Sequence, residues 1–202
     1  MLNTYMEIDL KAVSENIRKI KKYVNGKAEV ALVLKADAYG EGAVNFKEIL
    51  EENEIKTIAL AITDEAIELR KAGFTQKMLI LNELLESNLQ DIIKYELSPR
   101  ISVYEIAKKL NKLAQEANKV IDIHIEIDTG MGRTGIKPED AVEYVKQLQQ
   151  LKNIKIEGIF THFASADTDE QYTNMQIEIF NETVRKIENE RSKIQIHTFF
   201  CK

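Results

Sequence analysis

Short apolar runs alternate with longer amphipathic stretches along the whole chain. The period-3.6 face of Val13, Ile17, Ile20 and Val24 predicts a first helix, with Asp9 as its N-cap and Gly26 closing its end. A strand over 29–34 follows, then a short helix after Gly40 that turns Phe46, Ile49 and Leu50 inward. The runs TIALAI (57–62) and KMLIL (77–81) read as strands, and 63–71 between them as a helix ending before Gly73. Further on, the pattern predicts a helix over 83–95, a short strand over 97–102 and a helix over 103–118. A strand over 120–127 follows, with Ile121, Ile123, Ile125 and Ile127 pointing one way. Pro138 suits the first position of a helix carrying Ala141, Val145 and Leu148. The strand 154–160, a helix marked by Ile177, Phe180, Val184 and Ile187, and a last strand beginning at 194–196 complete the series.

Strands that alternate with helices of this size define βα units and a mostly parallel sheet. Seven strands follow the first helix, each but the last with a helical segment behind it. A complete (β/α)8 TIM-type barrel has eight units and typically about 250 residues. The expected fold class is therefore α/β, an incomplete (β/α)8 barrel of about seven units without its last, with a doubly wound open sheet as the other parallel arrangement. In either, ligands bind at the C-terminal ends of the strands.

Bulk properties narrow the chemistry. The 202 residues are 44% apolar and 30% charged, with net charge −5 and Lys and Glu mixed throughout. This balance argues against nucleic acid or an anionic membrane as the main partner and leaves small-molecule chemistry open. The single cysteine, Cys201, permits no internal disulfide and fits a reducing compartment. The N-terminus lacks the basic start and apolar core of a signal peptide, and no run reaches membrane-spanning length. The expected location is cytoplasmic.

Three strand ends carry candidate chemistry. In AEVALVLKADAYG (28–40) an apolar strand finishes on Lys35. A lone lysine there most often snorkels into water. Held in a partly dry barrel mouth, the same amine is a nucleophile toward an aldehyde, and Tyr39 then offers a hydroxyl to an anion. In IDTGMGRTGI (127–136), Gly130, Gly132 and Gly135 allow tight turns and close approach to a ligand. Arg133 in their midst suits a carboxylate, phosphate or phenolate oxygen. The loop matches GxGxxG only superficially, and no acidic residue ends the next strand as in dinucleotide sites. In GIFTHFASAD (158–167) the strand ends on Thr161 and His162, where an imidazole can stack on a planar ring or orient a charge. His124, His162 and His197 fall on three separate strands without metal-ligand spacing, so no metal is expected, and no GxSxG marks a hydrolase.

Together, ALVLKADAYGEG (31–42), DTGMGRTG (128–135) and GIFTHFASAD (158–167) resemble the N-terminal barrel of alanine racemases, which use pyridoxal 5′-phosphate. The resemblance runs from about Met6 to His197. It implies that Lys35 joins the cofactor covalently and serves as one of two bases, that Tyr39 contacts the phosphate, and that His162 lies near the pyridine ring. Arg133 would lie near the phenolic oxygen and the substrate carboxylate, with Met131 beside it. The implied activity is interconversion of L- and D-alanine for peptidoglycan, by a homodimer in the full-length form. Residues 1–202 would be the cofactor-binding portion; the family's β-domain, with its opposite-face tyrosine, is not in this sequence. The isolated chain is therefore expected to be weak or inactive. A non-catalytic remnant, or a racemase for serine or lysine, are the alternatives. Two departures stand out. Glu126 occupies the place of a lysine that supports the arginine, and Phe200 and Cys201 occupy that of an Asn-Ser pair that binds phosphate.

Overall fold

The computed structural model describes residues 4–190 and the backbone of 197–201. The chain divides into two compact units, Met1–Leu81 and Asn82–Lys202.

The first unit opens with helix α1 (Leu10–Val24). Asp9 caps it as expected, its carboxylate accepting the N–H groups of Lys11 and Ala12 at 2.9 and 3.0 Å. At the other end Asn25, ahead of Gly26, takes the left-handed cap conformation. Strand β1 is only Leu32–Val33, shorter than the apolar run suggests. It runs parallel to β2 (Thr57–Leu60), with Leu32 opposite Ile58, and β2 runs parallel to β3 (Lys77–Ile80). Between β1 and β2 lie one helical turn, α2 (Lys35–Tyr39), a 3-10 turn (Ala43–Phe46) and α3 (Lys47–Glu52). Helix α4 (Thr63–Lys71) joins β2 to β3 over the predicted range. Leu34, Leu50, Ile58, Leu60, Met78 and Ile80 are at most 2% exposed and form the unit's core. Burying each such side chain contributes about 1.5–3 kcal/mol.

In the second unit the expected helix over 83–95 is broken. A 3-10 turn (Glu86–Asn88) precedes α5 (Leu89–Lys94), because Leu85 is extended and the Glu83 side chain is drawn to Arg100. Strand β4 (Ser98–Pro99) lies along β5 (Ile121–Glu126), with Arg100 bridging His124 in parallel register and the Ser98 hydroxyl donating to the Asp122 carbonyl. Helix α6 (Tyr104–Glu116) separates them in sequence. β5 pairs parallel with β6 (Ile154–His162) across an irregularity at Ile123 and His124, with helix α7 (Ala141–Gln149) between. Pro138 falls in the turn before α7, whose N-cap is Asp140. Helix α8 (Glu170–Asn189) buries Gln176, Phe180, Thr183 and Ile187. That face is rotated by one residue from the one predicted through Ile177 and Val184. The expected start of the last strand, 194–196, lies outside the described residues. The backbone of β7 (His197–Cys201) pairs parallel with β6, so a strand runs on through the Phe-Phe-Cys segment.

Candidate active site

Lys35 follows the C-terminal end of β1, half-buried, and begins a turn of uncommon hand. Ala36, Asp37, Ala38 and Tyr39 all have φ between 53° and 58°. They form one turn of left-handed helix, closed by the Ala38 N–H donating to the Leu34 carbonyl and the Gly40 N–H to Ala36, both at 2.9 Å. For side chains with a Cβ this hand costs roughly 1–2 kcal/mol per residue. Local hydrogen bonds offset the strain. The Asp37 carboxylate accepts the Ala43 N–H at 2.7 Å, and the Asp37 carbonyl accepts that of Gly42 at 3.0 Å. Glu65 accepts the Ala36 N–H at 2.7 Å. The turn brings the Lys35 ammonium to 5.8 Å from the centroid of the Tyr39 ring, within cation–π range. Tyr39 itself is 65% exposed.

The glycine loop after β5 is anchored by its own strand. Asp128 accepts the N–H groups of Gly130 and Gly132 at 3.1 and 2.9 Å, an Asx turn that carries Met131. The Ile136 N–H returns to the Glu126 carbonyl, and the Asp128 N–H to the Ile136 carbonyl. Gly135 has φ +110°, and a Cβ there would lie 2.9 Å from the Asp128 nitrogen. Only glycine fits. Arg133 is exposed at the loop's tip, half-buried Met131 beside it, and His162 is the last residue of β6.

A buried polar chain ties this loop to the end of β6. The Gln176 side-chain amide donates to Thr129 Oγ1 and to the His162 carbonyl, both at 3.1 Å, while its oxygen accepts the Ala164 N–H at 3.0 Å. Thr161 donates to the Ile127 carbonyl at 2.8 Å, so the 2.7 Å Thr129–Thr161 contact has Thr129 as donor. Each hydroxyl has one proton, and the order Gln176 to Thr129 to Thr161 to Ile127 uses every one. Arg133's loop and His162's strand end are thus held in common register.

Glu126 does not meet Arg133 directly. It is 4% exposed, accepts a hydrogen bond from the Thr134 hydroxyl at 2.9 Å, and lies 3.2 Å from the guanidinium of Arg100, itself 1% exposed. Glu83 lies 3.5 Å from the other terminal nitrogen of Arg100 and accepts a hydrogen bond from the Ser102 hydroxyl. Burial pushes the Glu126 carboxyl above its ordinary value, while Thr134, Arg100 and, more weakly, Arg133 hold it down.

Lys35 and Tyr39 therefore come together in the first unit, while in the second Gln176 ties the loop that carries Met131 and Arg133 to the strand end at His162. Sequence reasoning missed Glu65, Arg100, Thr129, Tyr172 and Gln176. Gln176 is buried in step with Phe180 and Ile187, but as a polar residue it gives the hydrophobic period no signal, and the expected face ran through Ile177 instead.

Strand–helix repeats with their reactive side chains at strand C-termini define an α/β protein of the (β/α)8 barrel class, here an incomplete set of units. Residues 8–199 match the family model described as alanine racemase, N-terminal domain, and the chain belongs to that family. It is 40% identical over 194 residues to the alanine racemase of Halothermothrix orenii, covering 96% of this chain and 51% of that one. The Methanococcus maripaludis alanine racemase is 39% identical, with 95% and 52% covered. The solved alanine racemase of Clostridium difficile 630 superposes with TM-score 0.87 at 33% identity, covering 95% of this chain and 52% of that one. The chain spans about half the length of the relatives it matches.

Proposed function

We propose that this chain is the cofactor-binding part of a pyridoxal-phosphate-dependent alanine racemase, with Lys35 as the covalent anchor. The observation that carries this reading is the amine of Lys35, half-buried at a strand end and held beside the Tyr39 phenol by a strained turn. The donor set fits the group chemically: a primary amine for its aldehyde, a phenol hydroxyl for its phosphate, and a guanidinium for its phenolic oxygen. When bound, pyridoxal phosphate supplies an electron sink that acidifies the α-hydrogen of an amino acid.

The residues then divide the work. Lys35 Nζ holds and returns a proton on one face of the substrate carbon. Tyr39 would donate a hydrogen bond from its hydroxyl to the phosphate. Arg133 would offer a fork of N–H donors to the substrate carboxylate, Met131 would contribute to the same binding site, and His162 would help hold the cofactor's ring. A small amino acid is the substrate, L- and D-alanine by family membership. The whole protein, a homodimer serving peptidoglycan synthesis in the cytoplasm, completes the site with the opposite-face base.

Pyridoxal phosphate added to the 202-residue chain should produce the absorbance of a protein-bound cofactor, and Lys35→Ala should abolish it. A band that persists in Lys35→Ala would defeat the reading. The whole protein, offered L-alanine, L-serine and L-lysine in turn, should racemise alanine fastest.

A further inference from the structure

We infer that Glu65 is a positioning residue for Lys35, clasping the left-handed turn that aims it. This inference rests on the cofactor-anchor reading of Lys35. Glu65 is the third residue of α4, half-buried, and its two carboxylate oxygens serve two different loops. Oε1 accepts the Ala36 N–H at 2.7 Å. Oε2 accepts the Ala61 N–H at 2.8 Å and the Ile62 N–H at 3.3 Å.

A glutamate at this helix position ordinarily reaches back to the N-cap N–H, the carboxylate half of a capping box. Here the N-cap is Ile62, which has no side-chain acceptor to complete the box, and the bond to its N–H is the longest of the three. The shortest goes to Ala36, 29 positions away in sequence. Helix capping alone therefore does not account for where the carboxylate points.

The Ala36 N–H belongs to the peptide that directly follows Lys35. Holding it fixes the direction in which the Lys35 Cα–Cβ bond leaves the strand. It also holds the first of four consecutive residues in a conformation that side chains with a Cβ resist. An anionic acceptor makes the clasp stronger than a neutral one. Glutamine in its place would keep the size but set an NH2 donor against one of the N–H groups.

The test compares wild type, Glu65→Gln and Glu65→Ala in the 202-residue chain, with two readouts. The first is hydrogen exchange of the Ala36 amide. It should quicken roughly tenfold or more in Glu65→Ala while the β2 amides of Ile58 and Leu60 keep their protection. The second uses limiting pyridoxal phosphate: its aldehyde condenses with an amine, water leaves, and borohydride adds hydride to fix the product as a secondary amine read by peptide mass. Lys35's share of the label, relative to the other lysines, should fall roughly tenfold in Glu65→Ala and by less in Glu65→Gln. A purely structural Glu65 would lower the melting temperature and leave both Lys35's share and the selective Ala36 change absent; that result overturns the inference. Should Glu65→Ala fail to fold, Glu65→Gln decides on the same readouts. No label on Lys35 in wild type would sink the cofactor reading, and the Ala36 exchange would still decide the clasp.

Discussion

Gly130 sits at φ +139°, and a Cβ placed on it would come within 2.6 Å of the Tyr172 hydroxyl. That hydroxyl donates to the Gly130 carbonyl at 2.7 Å, so one contact both demands the glycine and secures the loop that carries Arg133. Gly130→Ala is expected to destabilise the chain by about 2 kcal/mol, from backbone strain and the clash together. Tyr172→Phe removes one partly exposed hydrogen bond and should cost about 1 kcal/mol. In the double variant the oxygen that the new Cβ would strike is gone. The two changes together should therefore cost less than the sum of the singles, because residues in contact do not act additively. Urea unfolding of the three variants measures this, and strict additivity would mean that the hydroxyl is not what excludes a side chain at 130.

At the scale of elements, α8 shows how a helix can serve a site through its buried face. Gln176 is fully buried, and leucine there would leave the Ala164 N–H, the Thr129 hydroxyl and the His162 carbonyl short of a partner. Gln176→Leu should destabilise by about 2–3 kcal/mol despite its added apolarity, as unsatisfied buried polar groups cost more than the methyl groups return. Equal or higher stability on thermal unfolding would show that water replaces the amide. The same helix marks where sequence patterns stop being informative. Hydrophobic period placed α1, β2, α4 and β6 nearly where they stand, because each buries an apolar stripe that its own residues advertise. It rotated α8 by one residue, because Gln176 faces inward for hydrogen bonds rather than for apolarity, and buried Thr183, whose hydroxyl bonds back to the Ile179 carbonyl of its own helix, gives no apolar signal. The motifs showed Lys35 and His162 as strand-end residues and Arg133 in the glycine loop that follows a strand. The left-handed turn after Lys35 was invisible, since Ala, Asp, Ala and Tyr do not announce positive φ. Glu65 was invisible too, for its decisive partner is set by the fold and not by spacing.

The stability of the whole molecule should carry the mark of Glu126. In the unfolded chain this carboxyl titrates at an ordinary value, and in the fold burial raises it even though Arg100 lies 3.2 Å away. Desolvation of the anion outweighs the hydrogen bond from Thr134 and the attraction of Arg100, because Glu126 and Arg100 are both buried. Between the ordinary and the raised value, the folded protein keeps a proton that the unfolded chain has released. Stability from this group is thus fully present below the ordinary carboxylate value and is lost as pH rises through the raised one. Above that, both states are ionised and the contribution is flat. Glu126→Gln has no proton to exchange and lacks this slope. The melting temperature of wild type minus that of Glu126→Gln should therefore decline as pH rises through the weakly acidic range, and hold constant on either side. A difference that grows with pH would mean that Arg100 holds the carboxylate ionised, with the ion pair dominating over burial; a difference that never changes would place Glu126 in water.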